Sequence, residues 1–387
     1  MRICLVYDCL FPYTIGGAER WYRNLGERLA ADGHDVTFIT LRQWPRSERG
    51  EVPGVRVVSV GPRMELYASA GQRRILPPLV FGLGVLWHLL RHGRRYDVVH
   101  TASFPYFSVL AAALCRPLGR FRLVVDWHEV WSRGYWREYL GAAGGRVGHA
   151  IQALCMRIPQ RAFCFSNLHA GRLREGRVNG AVTVLEGEYA GSLEPHDPLP
   201  AEPLVVFAGR HIPEKRVPAI VPALALARVR LPDLRGTIFG DGPERDEVLR
   251  LRELHRLDGA LTVPGFVDAT TVKETLSRAL CMLLPSRREG YGLIVVEAAA
   301  LGVPSIVVRD ADNAAVDLVE TGVNGIVAPS AAPKDLAAAI ERVSAAGPAL
   351  REATALWFQR NANRLSIESS LTTVIDSYQH DKAGLIA

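Results

Sequence analysis

Lysine is nearly missing from this chain: of its 46 lysines and arginines only four are lysines (Lys215, Lys273, Lys334 and Lys382), and the arginines are spread along its whole length. The formal charge of +6 therefore does not gather into a basic stripe with interleaved aromatics, which argues against a nucleic-acid partner. The excess suits an anionic small molecule, or weak attraction to an acidic membrane surface. Cysteine is sparse too. The six cysteines (Cys4, Cys9, Cys115, Cys155, Cys164, Cys281) form no Cys-x-x-Cys pair and have mostly apolar neighbours, so reduced core residues are expected rather than a disulfide frame or a zinc site. Long apolar runs are lacking. The longest candidate, Leu76 to Leu90, covers about 15 residues and contains two prolines, Gly82, Gly84 and His88; a bilayer span needs ~20. Arg73-Arg74 on one side and Arg91 to Arg95 on the other make it either a buried crossover helix with charged ends or a helix lying on a membrane. The amino-terminal apolar run is interrupted by Asp8, so no signal peptide is expected. The expectation is a cytoplasmic protein, with at most a peripheral place at the inner face of a membrane.

What is present is a twice-repeated alternation of strands and helices. The length of 387 residues, 48% of them apolar, suits two domains of ordinary size with a core each. In the first half, apolar runs predict strands at Arg2–Tyr7, Val36–Thr40, Val55–Val60, Asp97–Thr101, Leu123–Trp127 and Ala162–Ser166. In the second half they predict Leu204–Gly209, Gly236–Phe239, Leu261–Val263, Cys281–Leu284, Ser305–Val308 and Gly325–Val327. The segments between them are long enough for crossover helices, so the fold class is α/β with doubly wound parallel sheets. The change of domain falls in Gly187–Pro203, where Gly191, Pro195, Pro198, Pro200 and Pro203 cluster among polar residues. The tail from Asn361 has helical spacing at Leu365, Leu371, Ile375 and Tyr378.

The most informative stretch is Glu289-Gly290-Tyr291-Gly292-Leu293-Ile294-Val295-Val296-Glu297, two carboxylates separated by seven residues. It follows a buried-strand pattern and opens a helical one from Leu293 to Leu301. Gly290 and Gly292 let backbone approach a ligand closely, and the first helical amides would face an anion. The bland alternative, on this stretch alone, is a strand–turn–helix junction with two surface acids. Upstream, Gly209-Arg210 ends another strand and Lys215 follows at the start of a helix; a planar fork and a point charge make a suitable pair for a diphosphate. Gly240-Asp241-Gly242 closes the next strand, and Gly265-Phe266-Val267 the one after it. In the first half, Thr14-Ile15-Gly16-Gly17-Ala18-Glu19 follows the first strand and starts a helix. It is either an amide-rich phosphate contact or a turn, and it is not the dinucleotide fingerprint of hydride-transfer enzymes. Val124 to Glu129 ends a strand at Trp127, so His128 projects from the carboxyl edge, where such sheets bind ligands. Asp126 and Glu129 could orient its ring. His100, at the end of the preceding strand, is the rival. Trp127, Trp131 and Trp136 could stack on an acceptor sugar or pack within their own domain. Asp310-Ala311-Asp312 mimics a metal-binding acid pair and is read as a solvated loop.

Taken together, Gly209-Arg210 then Lys215, Gly240-Asp241-Gly242, Gly265-Phe266-Val267, and Pro285-Ser286 through Glu289-Gly290-Tyr291-Gly292 to Glu297 resemble the donor domain of the retaining GT-B glycosyltransferases, family 4. The chain departs from the pattern at Tyr291, where phenylalanine is usual, and at Arg216, where glycine is common, which bears on how the next helix begins. The resemblance implies two Rossmann-like domains facing across a cleft: residues 1–190 for the acceptor, 204–360 for the nucleotide-sugar donor, and a helix in 361–387 returning to the first domain. It implies that Glu297 holds the ribose hydroxyls and Glu289 a sugar hydroxyl. Arg210, Lys215 and the amides of Leu293 and Ile294 would stabilise the leaving phosphate, with Gly16, Gly17, Gly209, Gly240, Gly265, Phe266, Val267, Gly290, Tyr291 and Gly292 around the donor. His128 would stand close to the reacting sugar carbon. The nucleotide sugar is a substrate, so no cofactor and no metal are implied; uridine is the base favoured by frequency in the family. A sugar epimerase or phosphorylase of the same fold, or a nucleotide-sugar sensor, would share the phosphate site. Base, sugar, acceptor and oligomeric state are not written in these motifs.

Overall fold

The computed structural model describes residues 1–14, 16–66, 73–195 and 197–380. They form two compact units. The described residues of the first fall within Met1–Ala68, Gln72–Glu188 and Ile367–Ala387, and those of the second within Tyr189–Ser366.

The first unit runs β1 (Arg2–Val6), α1 (Gly17–Ala31), β2 (Asp35–Thr40), β3 (Arg56–Ser59), α2 (Leu76–His92), β4 (Val98–Ala102), α3 (Phe107–Gly119), β5 (Arg122–Trp127), α4 (Arg133–Arg157), β6 (Arg161–Cys164), α5 (Asn167–Glu175) and β7 (Val182–Val184). Its strands pair in parallel in the order β3-β2-β1-β4-β5-β6-β7. Strands covered by helices on both faces read as continuous apolar runs, and β1 and β5 obey this: Ile3, Cys4, Leu5, Val125 and Trp127 are fully buried. Right-handed crossovers place α1, which steps from β1 to β2, on the face opposite α2 and α3, which step the other way. Accordingly α2 packs along α3. Helix α2 is a crossover as expected, but it is buried on one side only. Leu76, Leu83, Trp87 and Leu90 stand exposed on the other.

In the second unit come β8 (Leu204–Ala208), α6 (Ile220–Ala227), β9 (Arg235–Phe239), α7 (Arg245–Leu254), β10 (Leu261–Gly265), α8 (Ala269–Ser277), β11 (Cys281–Leu284), β12 (Arg288–Glu289), α9 (Leu293–Ala300), β13 (Ser305–Val308), β14 (Asp312–Asn313), β15 (Gly325–Ala328) and α10 (Pro333–Leu365). The parallel sheet has the order β10-β9-β8-β11-β13-β15, and β12 and β14 make a separate two-stranded pair. Val205, Val206, Phe207, Met282, Leu283, Ile306 and Val307 form the core of this sheet, each contributing ~1.5–3 kcal/mol by leaving water. Helix α10 breaks at Gly347, whose φ of 61° precedes Pro348. Past Ser366 the chain enters α11 (Ile367–His380), which belongs to the first unit and buries Leu371, Val374 and Tyr378.

All six cysteines are buried and unpaired. No described helix is long and apolar enough to cross a membrane.

Candidate functional site

In the second unit the strand order reverses between β8 and β11, and ligands of open α/β sheets bind beyond the carboxyl ends of the strands at such a reversal. The motif residues of this half leave the sheet there. From β8 come Gly209, Arg210 and Lys215; from β11 come Arg288 and Glu289. The loops are fixed by their backbones. Gly209 N–H donates to Phe239 O (3.2 Å), Gly240 N–H to Gly265 O (2.8 Å) and His211 N–H to Asp241 O (2.8 Å). Gly240 has φ 106°, and a Cβ there would lie 1.9 Å from the Gly209 carbonyl oxygen, so only glycine allows this approach.

Lys215 does not start a helix as the sequence suggested. It closes a 3-10 turn, Pro213–Lys215, and Arg216 then takes left-handed angles (φ 50°, ψ 37°) before a second 3-10 turn leads into α6. That conformation explains why glycine would suit position 216, and Arg216 compensates by binding the Asp310 carboxylate at 3.1 Å. One acid of the Asp310-Ala311-Asp312 pair is thus engaged by a guanidinium. Lys215 Nζ donates to Glu289 Oε1 at 2.5 Å, with the two side chains only 20% and 10% exposed. Glu289 is set by β12 pairing with β14, where Asn313 lies opposite it. Buried Asn313 donates to the carbonyls of Ser286 (3.0 Å) and Val308 (2.8 Å).

Gly292, with φ 104°, is the N-cap of α9, and no side chain caps it. A Cβ at Gly292 would meet Ala315 Cβ at 2.6 Å. The first amides of α9, at Leu293 and Ile294, therefore remain free of any capping side chain, a local positive potential. Tyr291 is buried, Arg210 and Phe266 are exposed, and Glu297 is half-buried on α9. Its charge helps raise the Tyr189 phenol, after burial.

In the first unit His128 immediately follows β5, as expected. Its ring stacks on Phe165 (4.4 Å between centroids, 6° between planes) and meets the Tyr22 ring edge-on. Nε2 of His128 is buried and has no hydrogen-bond partner among the described residues. Burial pushes the imidazole down to about 4, against the opposing pull of Asp126 and Glu129, so it is neutral near pH 7. The two acids are not its orienters. Asp126 accepts from Trp21 Nε1 at 2.8 Å and lies 2.7 Å from His100 Nε2; Glu129 accepts from Trp131 Nε1 at 2.7 Å. Burial raises the Asp126 carboxyl, but His100 and His128 outweigh it and hold it below the usual range. His100 itself is completely buried, with Nδ1 facing the Tyr378 hydroxyl of α11 at 2.5 Å. It belongs to the interior of the sheet rather than to its edge.

Two of the tryptophans proposed for an acceptor are also interior. Trp127 is 0% and Trp136 3% exposed, their indole N–H groups donating to Gln160 (2.9 Å) and Gln152 (3.1 Å). They have no free face for a sugar. Trp131 is half-buried and stacked on Phe104 at 5.6 Å. Of the glycine pair, Gly16 is the extended N-cap of α1, which no side chain caps, and a Cβ on it would meet Glu19 Oε2 at 2.4 Å. Ile15 lies outside the described residues.

Comparison with known proteins decides the family. A family model described as Glycosyltransferase Family 4 matches residues 15–187, and one described as Glycosyl transferases group 1 matches residues 194–355. The chain belongs to the GT-B glycosyltransferases of family 4. A glycogen synthase of Mycobacterium tuberculosis is 27% identical over 89% of this chain and 86% of its own. An alpha-D-kanosaminyltransferase of Streptomyces kanamyceticus is 33% identical over 39% of this chain and 38% of its own. Among solved structures, a sucrose-phosphate synthase of Thermosynechococcus elongatus superposes with a TM-score of 0.79 at 21% identity, covering 99% of each chain. The HepE protein of Anabaena, in complex with UDP and glucose, gives 0.68 at 17% identity over 98% of this chain and 99% of its own.

Two residues of this glycosyltransferase escaped the sequence reading. His211, next to exposed Arg210, is fully buried, and burial lowers its imidazole against the opposing pull of the Phe239 backbone and Asp241. Glu188 lies at the end of the first unit. A Cβ on Gly17 would be 3.8 Å from its Oε2, and burial, then the Asp126 charge, pushes its acid up to about 8. The only sequence signal was an acid within Glu186-Gly187-Glu188, in a stretch read as linker. The folded state keeps this proton where the unfolded chain, at 4.5, has lost it. The contribution of Glu188 to stability is therefore fully present below about pH 4.5 and is lost as pH rises from there through about 8, by at most ~1.4 kcal/mol per pH unit. Glu188→Gln is expected to remove that slope. Thermal melts at pH 5 and pH 8.5 check this, and parallel behaviour of mutant and wild type would contradict it.

Proposed function

We propose that this glycosyltransferase moves a sugar, with retention of anomeric configuration, from a uridine-diphosphate sugar to a hydroxyl acceptor such as a glycan, a lipid-linked sugar or a natural-product aglycone. The observation that carries the reading is the Lys215–Glu289 pair at the strand reversal of the second unit, together with the uncapped start of α9. Breaking the bond from the anomeric carbon to phosphate oxygen leaves a nucleoside diphosphate. Arg210, Lys215 and the amides of Leu293 and Ile294 are assigned to that developing charge, each well-placed donor supplying ~2.7–4 kcal/mol. In this reading they take the part that a metal ion plays in other phosphate chemistry. The acceptor oxygen forms the new bond on the face from which the phosphate leaves, and its proton passes to the leaving phosphate oxygen. The unpaired Nε2 of neutral His128 suits a hydroxyl of the transferring sugar. The UDP bound by HepE supports uridine.

Incubation with uridine, guanosine and adenosine diphosphate sugars tests the reading. A transferase releases the diphosphate slowly by hydrolysis without any acceptor; binding without release would leave only a sensor. The two acids divide the work. Glu297→Gln is expected to weaken binding of the free diphosphate nucleoside by ~1.5–3 kcal/mol, because the ribose diol loses a charged acceptor. Glu289→Gln is expected to impair turnover with less effect on that affinity. Calorimetry with the free diphosphate separates them, and equal losses at both positions would refute the division.

A further inference from the structure

Up to Arg91 in its last turn, the outer face of α2 has no polar residue to offer water. Its exposed positions are Leu76, Leu79, Leu83, Trp87 and Leu90, 60%, 38%, 67%, 62% and 51% exposed, and their spacings of three and four residues draw one line along the helix. Single exposed leucines are ordinary on a protein surface, whereas a continuous line of them marks an interaction site. Helix α3, packed along α2, adds Leu114 and Leu118, 70% and 58% exposed. The pair is held rigidly: a Cβ on Gly82 would meet Phe107 Cβ at 2.4 Å, and one on Gly84 the Val60 carbonyl oxygen at 2.1 Å. The apolar line is therefore presented by the folded protein without unfolding.

Charge identifies what covers it. Between Arg74 and Arg122 the sequence contains a single acid, Asp97, and its carboxylate is taken by the backbone N–H of Arg2 at 2.8 Å and its guanidinium at 2.9 Å. At the carboxyl end of the line Arg91 lies over the Trp87 ring, and Arg94, Arg95 and Arg120 are exposed. Leucines and a tryptophan ending in a rim of arginines match the acyl region and phosphate headgroups of a bilayer. The same face of a second copy would bring arginines of its own and, within this segment, no uncommitted acid to meet them, so charge does not favour self-association. We propose that the α2–α3 face docks on the surface of an acidic phospholipid membrane, with Leu83 and Trp87 in the acyl region and the arginines at the headgroups. Nothing in this depends on the assignment of the donor site.

Sedimentation of the full-length chain with vesicles tests the docking. Vesicles of phosphatidylcholine mixed with phosphatidylglycerol are expected to carry the protein down, and vesicles of phosphatidylcholine alone much less. Added salt is expected to weaken the association. The double variants L83Q/W87Q and R94E/R95E are each expected to lower partitioning by about tenfold or more, with melting temperatures unchanged because the replaced side chains are exposed. Failure of the wild type to sediment with the acidic vesicles would overturn the proposal, as would variants that partition like the wild type. A wild-type dimer in analytical ultracentrifugation that L83Q/W87Q converts to a monomer would also overturn it, by making the face a self-interface.

Discussion

Lys215→Ala is expected to lower turnover by roughly a hundredfold or more, and Arg210→Ala to do the same, because both cations are assigned to charge that develops only as the phosphate leaves. Their surroundings make the two experiments unequal. Arg210 is exposed at the end of β8, so its removal is expected to leave the melting temperature unchanged and to give the cleaner measurement. Lys215 is paired at 2.5 Å with a Glu289 that is only 8% exposed. Alanine there leaves a largely buried carboxylate without its partner, an expected loss of ~1–3 kcal/mol of stability. The double variant K215A/E289Q removes that penalty while leaving the phosphate without its ammonium. Because Glu289→Gln itself impairs turnover, turnover at or below that of K215A, with stability restored, is the expected result. Wild-type turnover with only the donor KM raised, in either single mutant, would show that these residues merely dock the substrate.

His128 carries the second large effect. His128→Ala is expected to collapse sugar transfer by ~100-fold or more while calorimetric affinity for the nucleoside diphosphate stays as in wild type, because the nucleotide is assigned to residues of the other unit. The stack on Phe165 at 4.4 Å gives the ring a packing role as well, worth ~0.5–1.5 kcal/mol, so a modest fall in melting temperature accompanies the loss. His100→Ala is expected to behave in the opposite way. Its ring is enclosed by Asp126 and Tyr378, and its loss is expected to fall on stability first. A His128→Ala protein that transfers sugar normally, or whose only defect is early melting, would make this histidine a packing residue.

The strands were legible because parallel strands covered on both faces must be apolar throughout. Cys281–Leu284 and Ser305–Val308 agree residue for residue with the observed β11 and β13. β7, Val182–Val184, went unseen because it is a half-buried edge strand of only three residues, its short apolar stretch interrupted by Thr183. β12 and β14 are held by pairing with each other and by the Asn313 amide, neither of which has a period. In the candidate site, the residue types and their order along the chain were legible. The pairing was not: that Lys215 grips Glu289, that Asp310 is taken by Arg216, and that Asp126 serves His100 rather than His128 are consequences of tertiary placement. Likewise the sequence left α2 open between buried crossover and membrane helix, since only solvent exposure tells which side of an apolar helix is covered.

Tyr378 stands 278 residues beyond His100, and the described residues of the second unit lie between them in the chain. A ribosome therefore releases β4 and β5 long before it makes the helix that closes over them. Until α11 arrives, the His100–Asp126 pair has no tyrosine lid, and the nascent first unit is an unfinished body until the chain beyond the second unit has been made. A stop codon within α11 would leave both sheets intact in sequence, yet its damage would be felt under the strand that leads to His128. Cutting the gene at Glu188 to obtain the first unit alone would carry the same defect.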